Sequence, residues 1–302
     1  MSSCVFMDTV PGKLPWLRKN PLLNNIHLEK IYGLKLWNTE PILEINSLTS
    51  SLSNDTYCIV TTEHKYFARF DNINAHLFSR DRSVEAHLQK LAAEVNLAPQ
   101  PIFRDIHQGF IISEYIEGDT LKIEQMEHPS THIKFKKFFQ DLYELPTNSF
   151  EVLDLEYLVE SYFNQLPSSH ALYAPIRQRQ IRFAPLLKQL SQPQQTNKIC
   201  HLDLSADNLL FTKNSDLMAL DWEYAALSHP YLDLAIFYRN FNLNKETLIT
   251  LTSHIFMIDW DIFALYLDLS QWLDALWFAI RGNYWKDDSN IKLAKALIQA
   301  LD

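Results

Sequence analysis

Two short polar clusters stand out between residues 201 and 223: His201-Leu202-Asp203 with Asn208 shortly after, and Asp221-Trp222-Glu223. Both are set in apolar sequence on either side of a polar turn, "TKNSD". Apolar residues alternate through 209–211 and 217–220, the period of a half-buried strand, which predicts a β-hairpin whose outer ends lie side by side. Asp203 and Asn208 precede its first strand and Asp221 ends its second, so the hairpin gathers three oxygen-bearing side chains. Such donors suit Mg²⁺, which takes one or two carboxylates and keeps positions for phosphate oxygens. A further carboxylate beside the ion can orient a hydroxyl nucleophile, and positioning with charge neutralisation is most of what phosphoryl transfer needs. Taken singly, each Asp or Asn is better explained as a turn or cap residue. The joint spacing favours chemistry.

The elements that must position these residues follow from the rest of the chain. Residues 1–40 carry Pro11, Pro15 and Pro21 and then an amphipathic stretch, "NNIHLEKIYGLKLW", which reads as an N-terminal extension. From Pro41 the pattern is that of strands: "PILEINSL", "TYCIVTT" and "KYFARF", then a helix over "SVEAHLQKLAAEV", then "PQPIFRD" and "GFIISEYIEG" around a turn at His107-Gln108-Gly109. The order is therefore β-β-β-α-β-β over 41–118. After Gly118 the periodicity is mostly helical, over 131–145, 154–166, 174–191, 231–240, 244–257 and 261–281, with the hairpin as the main strand element.

Composition narrows the class. The 302 residues are 47% apolar, enough for a sizeable core and two lobes. A formal net charge of -9 argues against a phosphate-backbone binder and fits a cationic small molecule better. The five glycines form neither GxGxxG nor GxxxxGK[ST], which disfavours a Rossmann site and a Walker loop. Cys4, Cys58 and Cys200 have no metal-binding spacing, and neither a signal peptide nor a membrane-spanning run is legible. A cytoplasmic setting, with no membrane or nucleic-acid partner, is the expectation.

"HLDLSADN" followed by "LDWEYA" resembles the catalytic and metal-binding motifs of the choline kinase, thiamine kinase and aminoglycoside phosphotransferase superfamily, the small-molecule branch of the protein-kinase-like fold. The resemblance implies an α+β, bilobal protein, with a nucleotide-binding N-lobe over 41–118 and a mostly helical C-lobe over 119–302 for catalysis and acceptor binding. It implies that Asp203 is the catalytic base, that Asn208 and Asp221 hold Mg²⁺, and that His201 supports the catalytic loop. It also implies that Arg69 in "YFARF" holds ATP phosphates and that Glu85 orients it. "LTSSLSNDTY" would be the phosphate loop, with Ser50, Ser51, Ser53 and Asn54 as donors in place of glycines. "SEYIEGDTL" resembles the hinge, where backbone groups of Glu114 to Ile116 would pair with adenine, and Asp233 would buttress the catalytic loop or cap a helix. The acceptor is expected to be a small cationic alcohol, choline first and thiamine or an aminoglycoside as alternatives. Glu223 would lie on the acceptor side, with Trp272, Trp277 and Tyr284 as candidate cation–π rings. A silent nucleotide-binding pseudokinase is the rival from another class.

Overall fold

The computed structural model describes residues 24–48, 54–71, 81–214 and 216–301. They belong to two compact units, one within residues 1–75 and 100–115, the other within 76–99 and 116–302.

In the first unit α1 (Asn25–Tyr32) and a single 3-10 turn (Lys35–Asn38) precede five strands, β1 (Ile42–Ser47), β2 (Asn54–Thr61), β3 (Lys65–Asp71), β4 (Pro101–Asp105) and β5 (Phe110–Glu114). The sheet is antiparallel in the order β1-β2-β3-β5-β4. Strand β3 shows why: Tyr66, Ala68 and Phe70 alternate onto one face and pack with Tyr57, Ile59, Phe110 and Ile112. Helix α1 begins at Asn24, whose side chain accepts from the Ile26 N–H. It contributes Leu28 and Ile31 to the same core, as the following turn does Trp37, so this stretch belongs to the packing of the first unit. The turn between β4 and β5 needs Gly109, which sits at φ 57° with its carbonyl accepting from the Asp71 N–H at 2.8 Å.

The second unit contains α2 (Arg82–Glu94), β6 (Gly118–Thr120), α3 (Pro129–Tyr143), α4 (Leu155–Phe163), α5 (Tyr173–Leu190), β7 (Lys198–Cys200), β8 (Leu209–Thr212) and β9 (Leu217–Ala219). It continues through β10 (Ala226–Ser228), α6 (Pro230–Asn240), α7 (Lys245–Thr252), α8 (Trp260–Trp285) and α9 (Asp288–Gln299). The expected hairpin is present as β8 and β9, and β6 adds to it in the order β6-β8-β9. Gly118 permits that approach, since a Cβ there would stand 2.1 Å from the Phe211 carbonyl oxygen. A second pair, β7 with β10, brackets the loop that carries His201 and Asp203.

Several helices depart from the periodicity. Helix α7 ends at Thr252 rather than 257, and α8 runs on to Trp285. Helix α9 had no expected counterpart. Its start is marked only by Asp287, which caps it through the Ser289 N–H after Lys286 has turned left-handed at φ 55°. No helix among the described residues is long and apolar enough to cross a membrane.

The first unit's sheet is pinned at one end by Glu40. Its carboxylate accepts from the Thr61 hydroxyl, from the Tyr66 hydroxyl at 2.6 Å and from the His64 N–H at 3.0 Å. Partial burial works against ionisation, but the donors on Thr61, Tyr66 and His64 prevail and bring this carboxyl from 4.5 down to about 2. A depressed folded-state value means stability that is present above pH 4.5 and lost as pH falls toward 2. Glu40→Gln should therefore be destabilised by on the order of 1–3 kcal/mol at pH 7, with the gap from wild type closing as the acid limit is approached. Urea midpoints of both proteins at pH 7 and pH 3 measure it, and an unchanged gap would show that the clamp does not depend on charge.

Candidate active site

Two backbone distortions bracket the polar clusters. Leu202 sits at φ 60° and Asp221 at φ 57°, in the left-handed region that non-glycine residues seldom occupy. Each is held by a specific contact. The buried Asp233 carboxylate accepts from the Leu202 N–H at 2.7 Å and from the Tyr143 hydroxyl at 3.3 Å, and the His201 N–H also donates to it. Burial raises this carboxyl to about 6, less than it otherwise would because those donors favour its ionised form. Asp233 lies in the first turn of α6, while the helix cap is His229, which accepts from the Tyr231 N–H; the buttress expectation therefore describes Asp233 and the cap expectation does not. On the other side, His201 Nε2 donates to the carbonyl oxygen of Leu220 at 2.9 Å, immediately before Asp221. Complete burial lowers the pKa of His201 to about 4, so the ring is neutral at pH 7 and its single N–H is committed to that bond.

The oxygen donors meet as expected. Asn208 Nδ2 donates to Asp203 Oδ2 at 2.7 Å and to the Asp203 carbonyl at 3.0 Å, and the Leu220 N–H donates to the Asn208 carbonyl at 2.8 Å. Asp203 is thus tied to both strands of the hairpin. Burial first, then the charges of Asp221 and Glu223, push the Asp203 carboxyl well above the usual range, and the Asn208 amide pulls the other way. Carboxylate and amide oxygens gathered in this way are the donor chemistry that a hard divalent cation fits. Among the described residues no three His, Cys, Asp or Glu side chains converge as a ready metal cage; the pair in question consists of an amide and a carboxylate.

Five further residues, Arg82, Tyr224, Arg239, Asn240 and Asp274, were not singled out from sequence. Arg82 Nη1 lies 2.6 Å from Glu85 Oε2 and 3.2 Å from Glu223 Oε2, so both carboxylates share one guanidinium. Only the Arg82–Glu85 half, spaced i,i+3 on one helix, was legible in advance. Asp274 pairs with Arg239 at 2.8 Å, and Asn240 Nδ2 donates to the Leu204 carbonyl at 3.0 Å behind the loop. Tyr224 receives the Trp277 indole N–H at 3.2 Å.

The other expected residues belong to elements of both units. Arg69 is buried on β3, 3.7 Å from Asp71, and Asn54 is buried at the start of β2. Glu114 is exposed at the end of β5 and its N–H donates to the Gln100 carbonyl, while Ile116 is half-buried and belongs to the second unit. Ser50, Ser51 and Ser53 lie outside the described residues. The aromatic expectation needs a correction. Trp272 is fully buried, donates its indole N–H to the Ile176 carbonyl at 2.9 Å and packs on Phe163 and Phe183, so it is a core residue. Trp277 is half-buried beside Tyr224, with the Arg281 guanidinium 4.7 Å from its ring centre, and Tyr284 is 41% exposed.

The model of a phosphotransferase enzyme family matches residues 44–251, and the chain belongs to that family. Protein LicA of Haemophilus influenzae is 26% identical over 210 residues, 66% of this chain, and the chain spans only 59% of that protein's length. The crystal structure of choline kinase LicA from Streptococcus pneumoniae superposes with a TM-score of 0.69 at 22% identity, over 91% of this chain and 99% of that one. A structure of LicA in complex with AMP gives a TM-score of 0.70 at 20% identity, covering 91% and 98%. The α+β architecture, an antiparallel N-terminal sheet followed by a helical C-terminal part, is the one these kinases share.

Removing the Asp233 carboxylate should leave the Leu202 N–H buried without its acceptor and release a strained backbone. Asp233→Ala is expected to cost roughly 2–3 kcal/mol, whereas Asp233→Asn, whose amide oxygen still accepts, should cost less. Chemical denaturation of the two variants measures this, and equal costs would mean that the clasp is not what holds the loop.

Proposed function

We propose that this protein transfers the γ-phosphate of ATP to the hydroxyl of a small cationic alcohol, choline first. The observation that carries the reading is the junction of Asp203, Asn208 and Asp221 on a loop clamped by Asp233 and His201. In this reading the acceptor O–H donates to the Asp203 carboxylate. Its oxygen forms a bond to the γ-phosphorus while the bond to the β–γ bridging oxygen breaks, and the proton passes to Asp203. Asn208 orients the accepting oxygen through its 2.7 Å bond. Asn208 and Asp221 would hold Mg²⁺, which when bound neutralises phosphate charge. Arg69, Asn54, Ser51, Ser53, the backbone of Glu114 and Ile116, and Glu85 are the proposed nucleotide-side residues.

The acceptor half rests on charge. Asp203, Asp221, Glu223 and Asp274 are near enough that three of them raise the pKa of the fourth, Asp203, so a cationic group is favoured beside them. Trp277 and Tyr284 are the rings left for a cation once Trp272 is placed in the core. Choline in a structural relative's name and AMP in another's are consistent with both halves.

Asp203→Asn should lower kcat by roughly 10²–10⁴-fold while nucleotide binding by calorimetry survives; turnover near wild type would remove Asp203 from the mechanism. The acceptor is tested by comparing choline with 3,3-dimethylbutan-1-ol, which has the same shape and hydroxyl but no charge. The neutral alcohol should lose at least about tenfold in kcat/KM. Equal use of both compounds would sink the cationic acceptor, and a strong preference for thiamine or kanamycin would move the assignment within the family.

A further inference from the structure

Arg82 is the first residue of α2, and one of its nitrogens bridges two carboxylates, at 2.6 Å to Glu85 and 3.2 Å to Glu223. The three side chains are 10%, 3% and 8% exposed, so the group is largely removed from water. The two contacts differ in kind. Glu85 is one turn further along the same helix and its pairing is local. Glu223 is 141 residues away in sequence, on the turn that follows Asp221, so that contact exists only in the folded protein. Helix α2 packs against this same turn.

Glu223 has reason to leave. It stands near Asp203, and like charges that crowd together in a poorly solvated place repel one another. A guanidinium at 3.2 Å supplies the opposing charge and a direction. Because the Glu85 contact is the shorter, Glu85 anchors Arg82 to the helix, and Arg82 in turn presents a fixed cation to Glu223.

We propose that Arg82 is a positioning residue: by bridging Glu85 and Glu223 it holds the Glu223 side chain in the orientation that receives the cationic group of the acceptor. The role of Glu223 toward the acceptor rests on the function proposed above; the bridge itself does not. Glu85 then has a task inside the second unit as the anchor of this bridge. A lysine at position 82 would keep the charge but place a compact ammonium on a more flexible stem in place of the rigid planar guanidinium, so it should replace arginine only in part.

The test is a double-mutant cycle with two readouts, applied to wild type, Arg82→Gln, Glu223→Gln and the double variant, with Arg82→Lys as the conservative control. In steady-state kinetics, Arg82→Gln should raise the KM for choline about tenfold while kcat and the KM for ATP change by less than about threefold. Arg82→Lys should recover part of that loss. On the Glu223→Gln background, Arg82→Gln should add less than about twofold. The same rise in choline KM on both backgrounds would overturn the proposal. So would an unchanged choline KM with a fall in kcat, which would leave the bridge a purely structural brace. Thermal unfolding of the same four proteins reads the bridge without any substrate. Non-additive melting shifts would support it, and additive shifts would overturn it. If wild type phosphorylates no cationic alcohol yet the melting shifts are coupled, the acceptor reading fails and the hold of Arg82 on Glu223 stands.

Discussion

The hydrogen bond from the Leu202 N–H to the buried carboxylate of Asp233 is the contact on which the site depends. A leucine at φ 60° costs energy that no local feature of "HLDLS" returns, and it persists only where surrounding structure over-determines it. Asp233 supplies that from the first turn of a helix whose N-terminus also favours a negative charge. Reversing the chain at Leu202 lets His201 point to the Leu220 carbonyl while Asp203, two positions on, reaches Asn208. One bent residue thus separates a supporting side chain from the one proposed to react, and the second bend, at Asp221, lies just beyond the carbonyl that His201 holds.

The electrostatics follow from this packing. Asp203, Asp221 and Glu223 gather negative charge at the loop, and two arginines among the described residues meet carboxylates around it. Arg82 meets Glu223 and Arg239 meets Asp274, whereas the partner of the Asp203 side chain is the neutral amide of Asn208. In the proposed reaction both the acceptor and the nucleotide's metal would bring positive charge to these carboxylates, which are held in place before either arrives.

The parts legible in the sequence were those with a short repeat or a local partner. Strand β3 showed itself by the alternation of Tyr66, Ala68 and Phe70, and the β8–β9 hairpin by the apolar runs on either side of "TKNSD". The Asp203, Asn208 and Asp221 set was legible because a hairpin converts sequence spacing into proximity. Helix α9 was not, because it starts after a left-handed lysine with no glycine or proline to mark the break. Arg82 was missed for a different reason. Its contact with Glu85 is a common helix pair of little meaning alone, and what gives it weight is Glu223, which no periodicity connects to it.

The aromatic residues show how composition misleads. Trp272 and Trp277 lie on one helix, five residues apart, and face opposite environments: Trp272 donates to Ile176 within the core, and Trp277 donates to Tyr224 near the acidic cluster. An aromatic content of 13% is thus mostly core, built from stacked and edge-on pairs such as Phe135 with Phe237 and Tyr231 with Phe263. Even Trp277 carries an internal cation, since the Arg281 guanidinium lies 4.7 Å from its ring centre. A cationic acceptor that used that face would have to displace an arginine held there, at a cost comparable with the cation–π contact it would gain. In the proposed reaction, discrimination between a charged and a neutral acceptor would then rest on the carboxylates together with Tyr284 more than on Trp277. Among them Asp203 is assigned to the hydroxyl and Asp221 to phosphate charge in the proposed reaction, and Asp274 is paired with Arg239, so Glu223, held by Arg82, is the carboxylate whose position would govern how the acceptor's cation is received.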